Sequence, residues 1–323
     1  MAQKILITGG GGFIGTALAR NLAAKGFEIR LFDIDYTSRD LLCKKQGNCP
    51  AVEQVRGSVL DATSVGNAAK GCDYVIHLAA LLGVRRTEMK RIECLNTNIL
   101  GTVNVLEACL KEGVKKILFS SSSEVYGEID GMPVREDSRK QPISVYGVTK
   151  LAGEEYLKAY SARYGLKYAI VRFFNVYGPG QVAEFVVPRF IKRVSEDKAP
   201  VIYGDGSQIR SFCFVEDAAE GAAKALLDPM GDNQAFNIGN DTEPISMKDL
   251  AQRVVSLAGK KLEPEYVSMT ESDRETEREI KRRIPCIDKA RDLLKYVPQI
   301  SLAQGIKMVI DTDCIIDSWF ENV

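Results

Sequence analysis

The chain has 323 residues, of which 45% are hydrophobic and 27% are charged, a composition typical of a folded globular protein. Lys plus Arg and Asp plus Glu both number 43, so the net charge is formally zero. This balance argues against binding to nucleic acid or to an anionic membrane, because both usually need a basic excess. No apolar run approaches the roughly 18 residues of a membrane span, and we expect a cytoplasmic protein.

Histidine and cysteine usage limits the possible chemistry. His77 is the only histidine, so a zinc site with several histidines is impossible, and we predict no metal. His77 lies in a strand-like run, where packing explains it better than a role in a hydrolase triad. The eight cysteines include no C-x-x-C pair, and we expect reduced, buried thiols in a reducing compartment. Acid–base chemistry must then come from Tyr, Lys, Ser or carboxylates.

The first predicted elements are a strand, KILIT, and a helix, joined by TGGGGFIG at residues 8–15. Gly9, Gly12 and Gly15 have a G-x-x-G-x-x-G spacing, a variant of the dinucleotide-binding turn. Glycine lets the backbone approach a pyrophosphate, and the N-terminus of the helix attracts its charge. The next strand, EIRLFD, ends at Asp33, whose carboxylate would bind a ribose diol and repel a 2′-phosphate. The sequence therefore predicts NAD rather than NADP.

Further along the chain, strand-like runs alternate with helical patterns. The strands are VEQVRG, YVIHLAA, KKILFSS, YAIVRFF and AFNIG, and the helical pattern NILGTVNVLEACLKEG ends at Gly113. This alternation predicts an α/β fold with a Rossmann-like, doubly wound parallel sheet. We predict an NAD-binding domain of residues 1–174, with returning segments at about 213–242 and 286–311. Residues 175–212 and 243–285 would form a smaller, discontinuous α/β substrate-binding cap, and the charged run at residues 273–283 a solvated surface.

SVYGVTK, at the start of a helical pattern, places Tyr146 four residues before Lys150. This spacing brings both side chains to one face of a helix. A lysine ammonium favours the phenolate, so we expect Lys150 to lower the pKa of Tyr146 and make it a usable base. Tyr126, in SEVYG after an apolar strand, has no such lysine, and we expect it to pack in the interior.

These motifs, together with HLAA, NTNILGT, RFFNVYGPGQ and GDGSQIRSFCFVED, resemble the extended short-chain dehydrogenase/reductase superfamily. Within it, they are similar to the NAD-dependent nucleotide-sugar epimerase/dehydratase branch, over residue 4 to about residue 310. The resemblance implies an enzyme with bound NAD, a nucleotide-diphosphate sugar as substrate and a homodimer formed through the helices that begin near Asn98 and Tyr146.

The resemblance also implies roles for individual residues. Tyr146 would be the catalytic base, Lys150 would support it and bind the nicotinamide ribose, and Ser122 would hydrogen-bond the sugar hydroxyl. Ser123 and Glu124 complete the predicted catalytic set. The predicted cofactor contacts are Gly9, Gly12, Phe13, Ile14, Gly15, Asp33, Leu60, Asp61, Ala79, Ala80, Asn98, Tyr146 and Lys150, with Asp61 beside the adenine. The predicted substrate contacts are Arg85, Asn175, Val187, Arg189, Tyr203, Arg210 and Arg283, with Asn175, Arg210 and Arg283 at the diphosphate.

The reaction expected from this resemblance starts with oxidation at carbon 4 of the sugar. A 4-epimerase returns the hydride to the opposite face of the 4-keto sugar, whereas dehydratases, decarboxylases and 4-dehydrogenases use the same ketone differently. Dehydratases of this branch have an acid where this chain has Ser123, and without it loss of hydroxide is about 10²–10⁴-fold slower. We therefore predict a 4-epimerase in which Glu124 contacts a sugar hydroxyl. A sensor of NAD or nucleotide sugar without turnover is the alternative from another class.

Overall fold

A seven-stranded parallel sheet forms the centre of the protein. The computed structural model describes residues 2–46, 49–129, 131–268 and 280–317. The strands are β1 (Lys4–Thr8), β2 (Glu28–Asp33), β3 (Glu53–Arg56), β4 (Tyr74–His77), β5 (Lys116–Ser122), β6 (Lys167–Phe173), β7 (Val176–Tyr177), β8 (Val201–Tyr203), β9 (Ile209–Arg210), β10 (Cys213–Phe214), β11 (Gln234–Ile238), β12 (Ile245–Ser246), β13 (Glu265–Val267) and β14 (Arg282–Arg283).

Helices connect these strands. They are α1 (Phe13–Ala24), α2 (Thr37–Gln46), α3 (Ala62–Ala69), α4 (Val84–Met89), α5 (Arg91–Leu95), α6 (Gly101–Glu112), α7 (Val145–Tyr164), α8 (Val186–Ser195), α9 (Val215–Leu227), α10 (Met247–Leu257), α11 (Asp288–Leu294) and α12 (Leu302–Thr312). Asn96–Leu100 forms a π-helical turn between α5 and α6, and Ser123–Tyr126 forms a 3-10 turn after β5. No helix in the described ranges is long and apolar enough to cross a membrane.

The central sheet has the strand order β11-β6-β5-β4-β1-β2-β3 and only parallel pairings. All seven strand-like runs identified in the sequence form its strands, which confirms the predicted Rossmann-like doubly wound sheet. The strands β1, β2 and β3 follow one another toward one edge of the sheet, and the chain then returns to the centre to form β4 on the other side of β1. The connections that leave β1 and β4 therefore run toward opposite edges. This divergence opens a cleft at the carboxyl ends of these strands, where open α/β sheets bind ligands.

Apolar residues cover both faces of the sheet. One face packs against α1 and α9, with Leu18, Leu22 and Phe236 among the buried residues. The other face packs against α3, α6 and α7, with Phe32 and Phe119 in its core. Because both faces are covered, most of the strands are continuous apolar runs rather than alternating ones, as the sequence predicted, whereas the edge strand β3 is polar and largely exposed.

The second half of the chain adds three small sheets beside the large one. Their strand orders are β10-β7, β12-β9-β14 and β13-β8. A separate apolar cluster joins α8, α10 and α12, with Phe190, Leu250 and Ile306 fully buried. Sequence patterns gave no bounds for these two- and three-residue strands.

The cysteine prediction is correct for six residues and wrong for two. Cys72, Cys94, Cys109, Cys213, Cys286 and Cys314 are free and buried. Cys43 and Cys49, however, form a disulfide across six positions of the chain. The pair was missed because a bridge depends on how α2 turns into the following loop, and spacing alone does not give that geometry.

Candidate active site

The glycine-rich turn between β1 and α1 leaves no space for side chains. Gly9 has φ +71°, and a Cβ there would lie 2.7 Å from the backbone nitrogen of Ala79. A Cβ on Gly11 would lie 2.2 Å from the carbonyl oxygen of Asp35. Gly12 precedes α1 and provides no side-chain cap, so the backbone N–H groups at the start of the helix are available to an anion. This turn fits the pyrophosphate of a dinucleotide.

Asp33 ends β2 directly beside this turn. Its Oδ2 accepts a hydrogen bond from the backbone nitrogen of Gly11 at 2.9 Å, and its Oδ1 accepts one from Ile34 at 2.7 Å. Burial raises the pKa of Asp33, while the backbone N–H groups of Gly11, Asp35 and Ile34 lower it. Asp33 therefore lies where the sequence predicted a ribose-binding carboxylate, and it also fixes the turn.

The remaining predicted cofactor residues lie around the carboxyl ends of the central strands. Asp61 caps α3 by accepting from the backbone nitrogens of Thr63 and Ser64, and the hydrogen bond from the Ser64 hydroxyl lowers its pKa most. Leu60 is 45% exposed beside it, where an adenine ring could cover it. Phe13 and Ile14 begin α1, Gly15 follows them, and Ala79 and Ala80 follow β4.

Asn98 links two elements of the site. Its Oδ1 accepts from the backbone nitrogen of Leu81 at 2.7 Å, and its Nδ2 donates to Leu81 and to the Thr149 hydroxyl at 3.0 Å each. Asn98 is buried in the π-helical turn. Its side chain therefore holds the segment after β4 against α7, and its predicted cofactor contact stays a prediction.

Ser122, Tyr146 and Lys150 come together at the carboxyl end of β5. Ser144 caps α7 by accepting from the backbone nitrogen of Gly147, which places Tyr146 in the first turn of the helix. The Ser122 hydroxyl hydrogen-bonds the phenol of Tyr146. The Nζ atom of Lys150 lies 5.6 Å from the centre of the Tyr146 ring and 5.1 Å from that of Phe119. The predicted spacing thus produces the expected grouping.

The expected lowering of the Tyr146 pKa is wrong for this arrangement. Part of the Tyr146 side chain is accessible, but protein surrounds its phenolic oxygen, and burial raises its pKa. The Glu124 carboxylate raises it further, and the hydrogen bond from Ser122 lowers it. Burial also lowers the pKa of Lys150 to about 8. The sequence argument counted one charge at one distance and omitted desolvation, which acts against both charged forms.

Glu124 forms an ion pair that sequence reasoning did not foresee. Its Oε1 lies 2.5 Å from Nη1 of Arg283 on β14, and its Oε2 accepts from the Ser144 hydroxyl at 3.3 Å. Ser123, beside Glu124 in the 3-10 turn, is 3% exposed. The two ends of the ion pair are 159 positions apart in the chain, so local patterns could not have revealed it.

The other predicted substrate residues lie on α4, on α8, on the small sheets and, for Asn175, between β6 and β7. Arg210 donates to the carbonyl oxygens of Ile209, Lys281 and Ile280. Asn175, with φ 37°, donates to the carbonyl oxygen of Ser211. The Arg189 guanidinium lies over the Tyr203 ring at 5.1 Å, Val187 is buried in α8, and Arg85 lies on α4 with its side chain outside the described part. Residues 273–279 of the predicted solvated charge run are also outside it.

A buried polar network connects β5 to α7, β6 and β11. Glu154 on α7 accepts from Nε and Nη2 of Arg172 at 2.8 and 2.7 Å, and from the Ser121 hydroxyl at 2.6 Å. Nη1 of Arg172 donates to the Tyr126 hydroxyl, which donates to Asn237. Tyr126 is therefore a packed residue, as predicted. The network was missed, although an arginine inside the apolar run YAIVRFF was a usable signal of a buried partner.

His77 also has a structural environment. Its Nδ1 lies 2.7 Å from the Thr8 hydroxyl and its Nε2 lies 3.0 Å from the Thr102 hydroxyl. Burial, and to a smaller extent the Lys150 charge, lower its pKa to about 3. The residue is a neutral, packed histidine, as the sequence suggested. Among the described residues, no cluster of His, Cys, Asp and Glu could hold a metal ion.

A sequence model of the NAD-dependent epimerase/dehydratase family matches residues 5–239. The chain belongs to this family. A UDP-N-acetyl-alpha-D-glucosaminuronate decarboxylase from Bacillus cytotoxicus is 35% identical, with 100% of this chain and 99% of that protein covered. A UDP-glucuronate 4-epimerase from Thermodesulfobacterium geofontis is 33% identical, with 95% and 94% covered. The structure of UDP-glucuronic acid 4-epimerase from Bacillus cereus, in complex with UDP-glucuronic acid and NAD, has a TM-score of 0.87, 32% identity and coverage of 96% and 98%.

These relationships define the class of the protein. It is an enzyme of the NAD-dependent epimerase/dehydratase family within the extended short-chain dehydrogenase/reductase superfamily, and NAD is its cofactor. The glycine turn and Asp33 supply the shape and the carboxylate that this cofactor needs. The relatives include both epimerases and decarboxylases, so family membership alone leaves the fate of the oxidised sugar open.

Proposed function

We propose that this enzyme is a UDP-sugar 4-epimerase that works through a transient 4-keto sugar. The observation that carries the proposal is the grouping of Ser122, Tyr146 and Lys150 beside the cofactor turn. Ser122 would bind the hydroxyl at carbon 4, and Tyr146 would take its proton. The glycine turn and Asp33 would hold NAD, which would supply the hydride acceptor for oxidation at carbon 4 and the hydride donor for reduction from the other face of the ring.

Ser123 separates this proposal from a 4,6-dehydratase. Elimination of water from a 4-keto sugar needs an acid that protonates the leaving hydroxyl. Ser123 is buried at the position where such an acid is expected, and a serine hydroxyl is a poor proton donor at neutral pH. Glu124 is engaged by Arg283, which stabilises its ionised, non-donating form.

The Glu124–Arg283 ion pair favours a second candidate, a decarboxylase of UDP-uronic acids. Oxidation at carbon 4 turns a uronic acid into a β-keto acid, which loses CO₂ and leaves an enolate that takes up a proton. Arg283 is a cation that can bind the reacting carboxylate, and Glu124 lies 2.5 Å away from it. The decarboxylase relative at 35% identity supports the same reading.

Product analysis distinguishes these reactions. The purified enzyme would be incubated with UDP-glucose, UDP-glucuronate and their N-acetylated counterparts, and the products followed by proton NMR. A 4-epimer in equilibrium with its substrate supports the proposal. A UDP-pentose product would identify the enzyme as the decarboxylase instead. A 4-keto-6-deoxy sugar would identify it as a dehydratase, and a 4-keto sugar formed together with stoichiometric NADH would identify it as a dehydrogenase. Tyr146→Phe enzyme is the negative control.

Two further proposals concern the arrangement of the protein. The segments 175–212 and 243–285 would bind the UDP-sugar as a cap, with Asn175, Arg210 and Arg283 at its diphosphate. The enzyme would also form a homodimer through an exposed apolar helix face made of Met89, Ile92, Leu95, Leu100 and Val148, which are 47–74% exposed. Large apolar patches of this kind usually mark protein interfaces.

A further inference from the structure

A cavity of about 580 Å³ lies outside the predicted NAD and sugar cleft, at the edge of the central sheet where β11 follows β6. Residues of β6, β11, α7, α11 and the segment 135–140 line it. None of these residues belongs to the predicted catalytic, cofactor-binding or substrate-binding set. The cavity is large enough for a small-molecule ligand, and the proposed reaction assigns it no role.

Part of the cavity surface is apolar. Tyr168 lines it from β6, Ala235 from β11 and Leu293 from α11, and all three residues are partly exposed. The Tyr168 hydroxyl forms no hydrogen bond with a described residue. These side chains offer a surface on which an apolar or aromatic group could pack, with one free phenol beside it.

Two lysines in the cavity contact no carboxylate of a described residue. Lys140 forms neither a hydrogen bond nor an ion pair with the described part of the chain. The Nζ atom of Lys289 donates to two neutral oxygens, Oε1 of Gln234 and the carbonyl oxygen of Ala235, at 2.9 Å each. Both lysines are half-buried, and burial lowers the pKa of each. Because a half-buried ammonium without a counter-charge is unfavourable, an anion in the cavity would stabilise both.

The carboxylates that line the cavity have other partners or are solvated. Glu136 accepts a hydrogen bond from a backbone nitrogen of β11, and Asp288 accepts one from a guanidinium of α11. Asp137 and Asp292 are exposed. These carboxylates therefore leave the ammonium groups of Lys140 and Lys289 available to a ligand.

We propose that this cavity binds a small organic anion, with its phosphate or carboxylate at Lys140 and Lys289 and its apolar part against Tyr168, Ala235 and Leu293. A lysine ammonium is a compact charge with three rotatable donors, so it accommodates either head group. The proposal does not depend on which reaction the enzyme catalyses, because the cavity shares no residue with the predicted cleft.

A buried ion pair lies between the cavity and the cleft. Arg172 lines the cavity and pairs with Glu154, which accepts a hydrogen bond from Ser121, the neighbour of Ser122. Because these groups are already paired with one another, they close the cavity on that side. We therefore expect the anion to bind at the same time as NAD and UDP rather than to compete with them.

Anilinonaphthalene sulfonate, an aromatic anion whose fluorescence rises in apolar sites, is a suitable probe. Its titration into the full-length protein saturated with NAD and UDP should show saturable binding. Lys140→Gln and Lys289→Gln should each weaken this binding about tenfold, because each removes a charged contact. Lys261→Gln, which removes an exposed lysine after α10, is the matched control and should bind the probe like wild type.

Displacement of the probe identifies the chemistry of the ligand. Phenyl phosphate should displace it at about tenfold lower concentration than inorganic phosphate, because the ring adds apolar contact. Tighter competition by phenyl phosphate than by benzoate identifies a phosphate head group, and the reverse identifies a carboxylate. Failure of both compounds to displace the probe would contradict the proposal.

Chemical labelling of the wild-type protein provides a test without variants. Whichever of the two compounds displaces the probe better should slow acetylation of Lys140 and Lys289 about fivefold or more by mass spectrometry, and leave Lys261 unchanged. Equal labelling with and without the compound would overturn the inference. Unchanged probe affinity in both lysine variants, or loss of the probe signal once NAD and UDP are bound, would also overturn it. Thermal unfolding of each variant verifies folding.

Discussion

Two tyrosines near the end of β5 have different hydrogen-bond partners. The Tyr126 hydroxyl is held between Arg172 and Asn237 in the buried network, whereas the Tyr146 hydroxyl meets Ser122 in the cleft. The Y-x-x-x-K spacing predicted this distinction, because a helix necessarily brings residues four positions apart to one face. The pKa of Tyr146 was not predictable in the same way, since desolvation depends on everything that packs around the phenol.

We therefore expect the same replacement, tyrosine by phenylalanine, to reduce activity at one position and stability at the other. Tyr146→Phe should abolish 4-epimerisation while leaving NAD binding and the unfolding free energy nearly unchanged, because it removes the base. Tyr126→Phe should keep most of the activity and lower the unfolding free energy by about 1–3 kcal/mol, because buried partners lose a hydrogen bond. Activity assays and urea unfolding of both variants check this. Substantial turnover by Tyr146→Phe would contradict the assigned base.

The buried charge of Lys150 makes a prediction about stability. Its pKa of about 8 in the folded protein lies below the ordinary 10.5, so the unfolded chain binds more protons between these values. Stability should therefore rise across this window as pH increases. Without cofactor, Lys150→Met should be more stable than wild type at pH 7 by up to about 3 kcal/mol, and the gap should close toward pH 10.5. Lys158→Met, which removes a half-buried lysine of the same helix that pairs with Glu155, is the matched control.

His77 gives a direct spectroscopic test of burial. Because its pKa is about 3 in the folded protein, the imidazole should stay neutral down to pH 5. As the sole histidine, it produces one set of ring proton resonances, whose chemical shifts should not change between pH 8 and pH 5. The lowered pKa also means that stability falls as pH decreases from 6.5 toward 3. A midpoint near pH 6.5 would show that the ring is solvated.

At the scale of elements, the regular parts of the fold were predictable. Most strands of the central sheet are apolar runs flanked by turn residues, the exposed edge strand β3 being the exception. Helix α6 ends at Gly113 with φ 70°, where glycine is favoured. The strands β7, β9, β10, β12 and β14 have two residues each. Such strands carry no periodicity, and their pairing depends on segments far apart in the chain, so sequence patterns could not place them.

The buried pair that joins α7 to β6 should be important for stability. Glu154→Leu leaves the Arg172 guanidinium buried without its carboxylate, and we expect a loss of about 3–5 kcal/mol in unfolding free energy. Glu155→Leu removes the adjacent carboxylate, which pairs with Lys158 on the surface, and should change stability by less than about 1 kcal/mol. Urea unfolding of the two variants compares them. Equal decreases in the free energy of unfolding would mean that the Arg172–Glu154 pair does not stabilise the protein more than a surface ion pair does.

At the scale of the whole molecule, contacts between residues close in the chain were easier to predict than contacts between distant segments. The glycine turn and Asp33 are close in the chain, so their contact follows from one βαβ unit. The Glu124–Arg283 pair depends on how distant segments fold over the cleft. The buried network also joins segments far apart in the chain, and the Cys43–Cys49 bridge depends on how α2 turns into the following loop, which residue types do not specify.

The exposed apolar helix face makes a prediction about assembly. The elements α4, α5 and the π-helical turn all contact α7, so we expect their exposed apolar residues to lie close together. Ile92→Glu should convert the proposed dimer into a monomer, because it buries a charge in an apolar contact. Met230→Glu, which is 52% exposed and lies away from this face in the turn after α9, should not. Light scattering at micromolar concentration compares them, and a monomeric wild type would contradict the proposal.

Asp33 is predicted to bind the ribose and also accepts a hydrogen bond from the glycine turn, which restricts how the enzyme could be re-engineered for NADP. The usual step of deleting the acidic residue would also remove the acceptor that holds the Gly11 nitrogen, so the phosphate turn would loosen as the charge disappears. Asparagine at this position keeps an oxygen acceptor without the negative charge. Asp33→Asn combined with Ile34→Arg, on an exposed neighbour, therefore offers a route to the phosphorylated cofactor that preserves the turn.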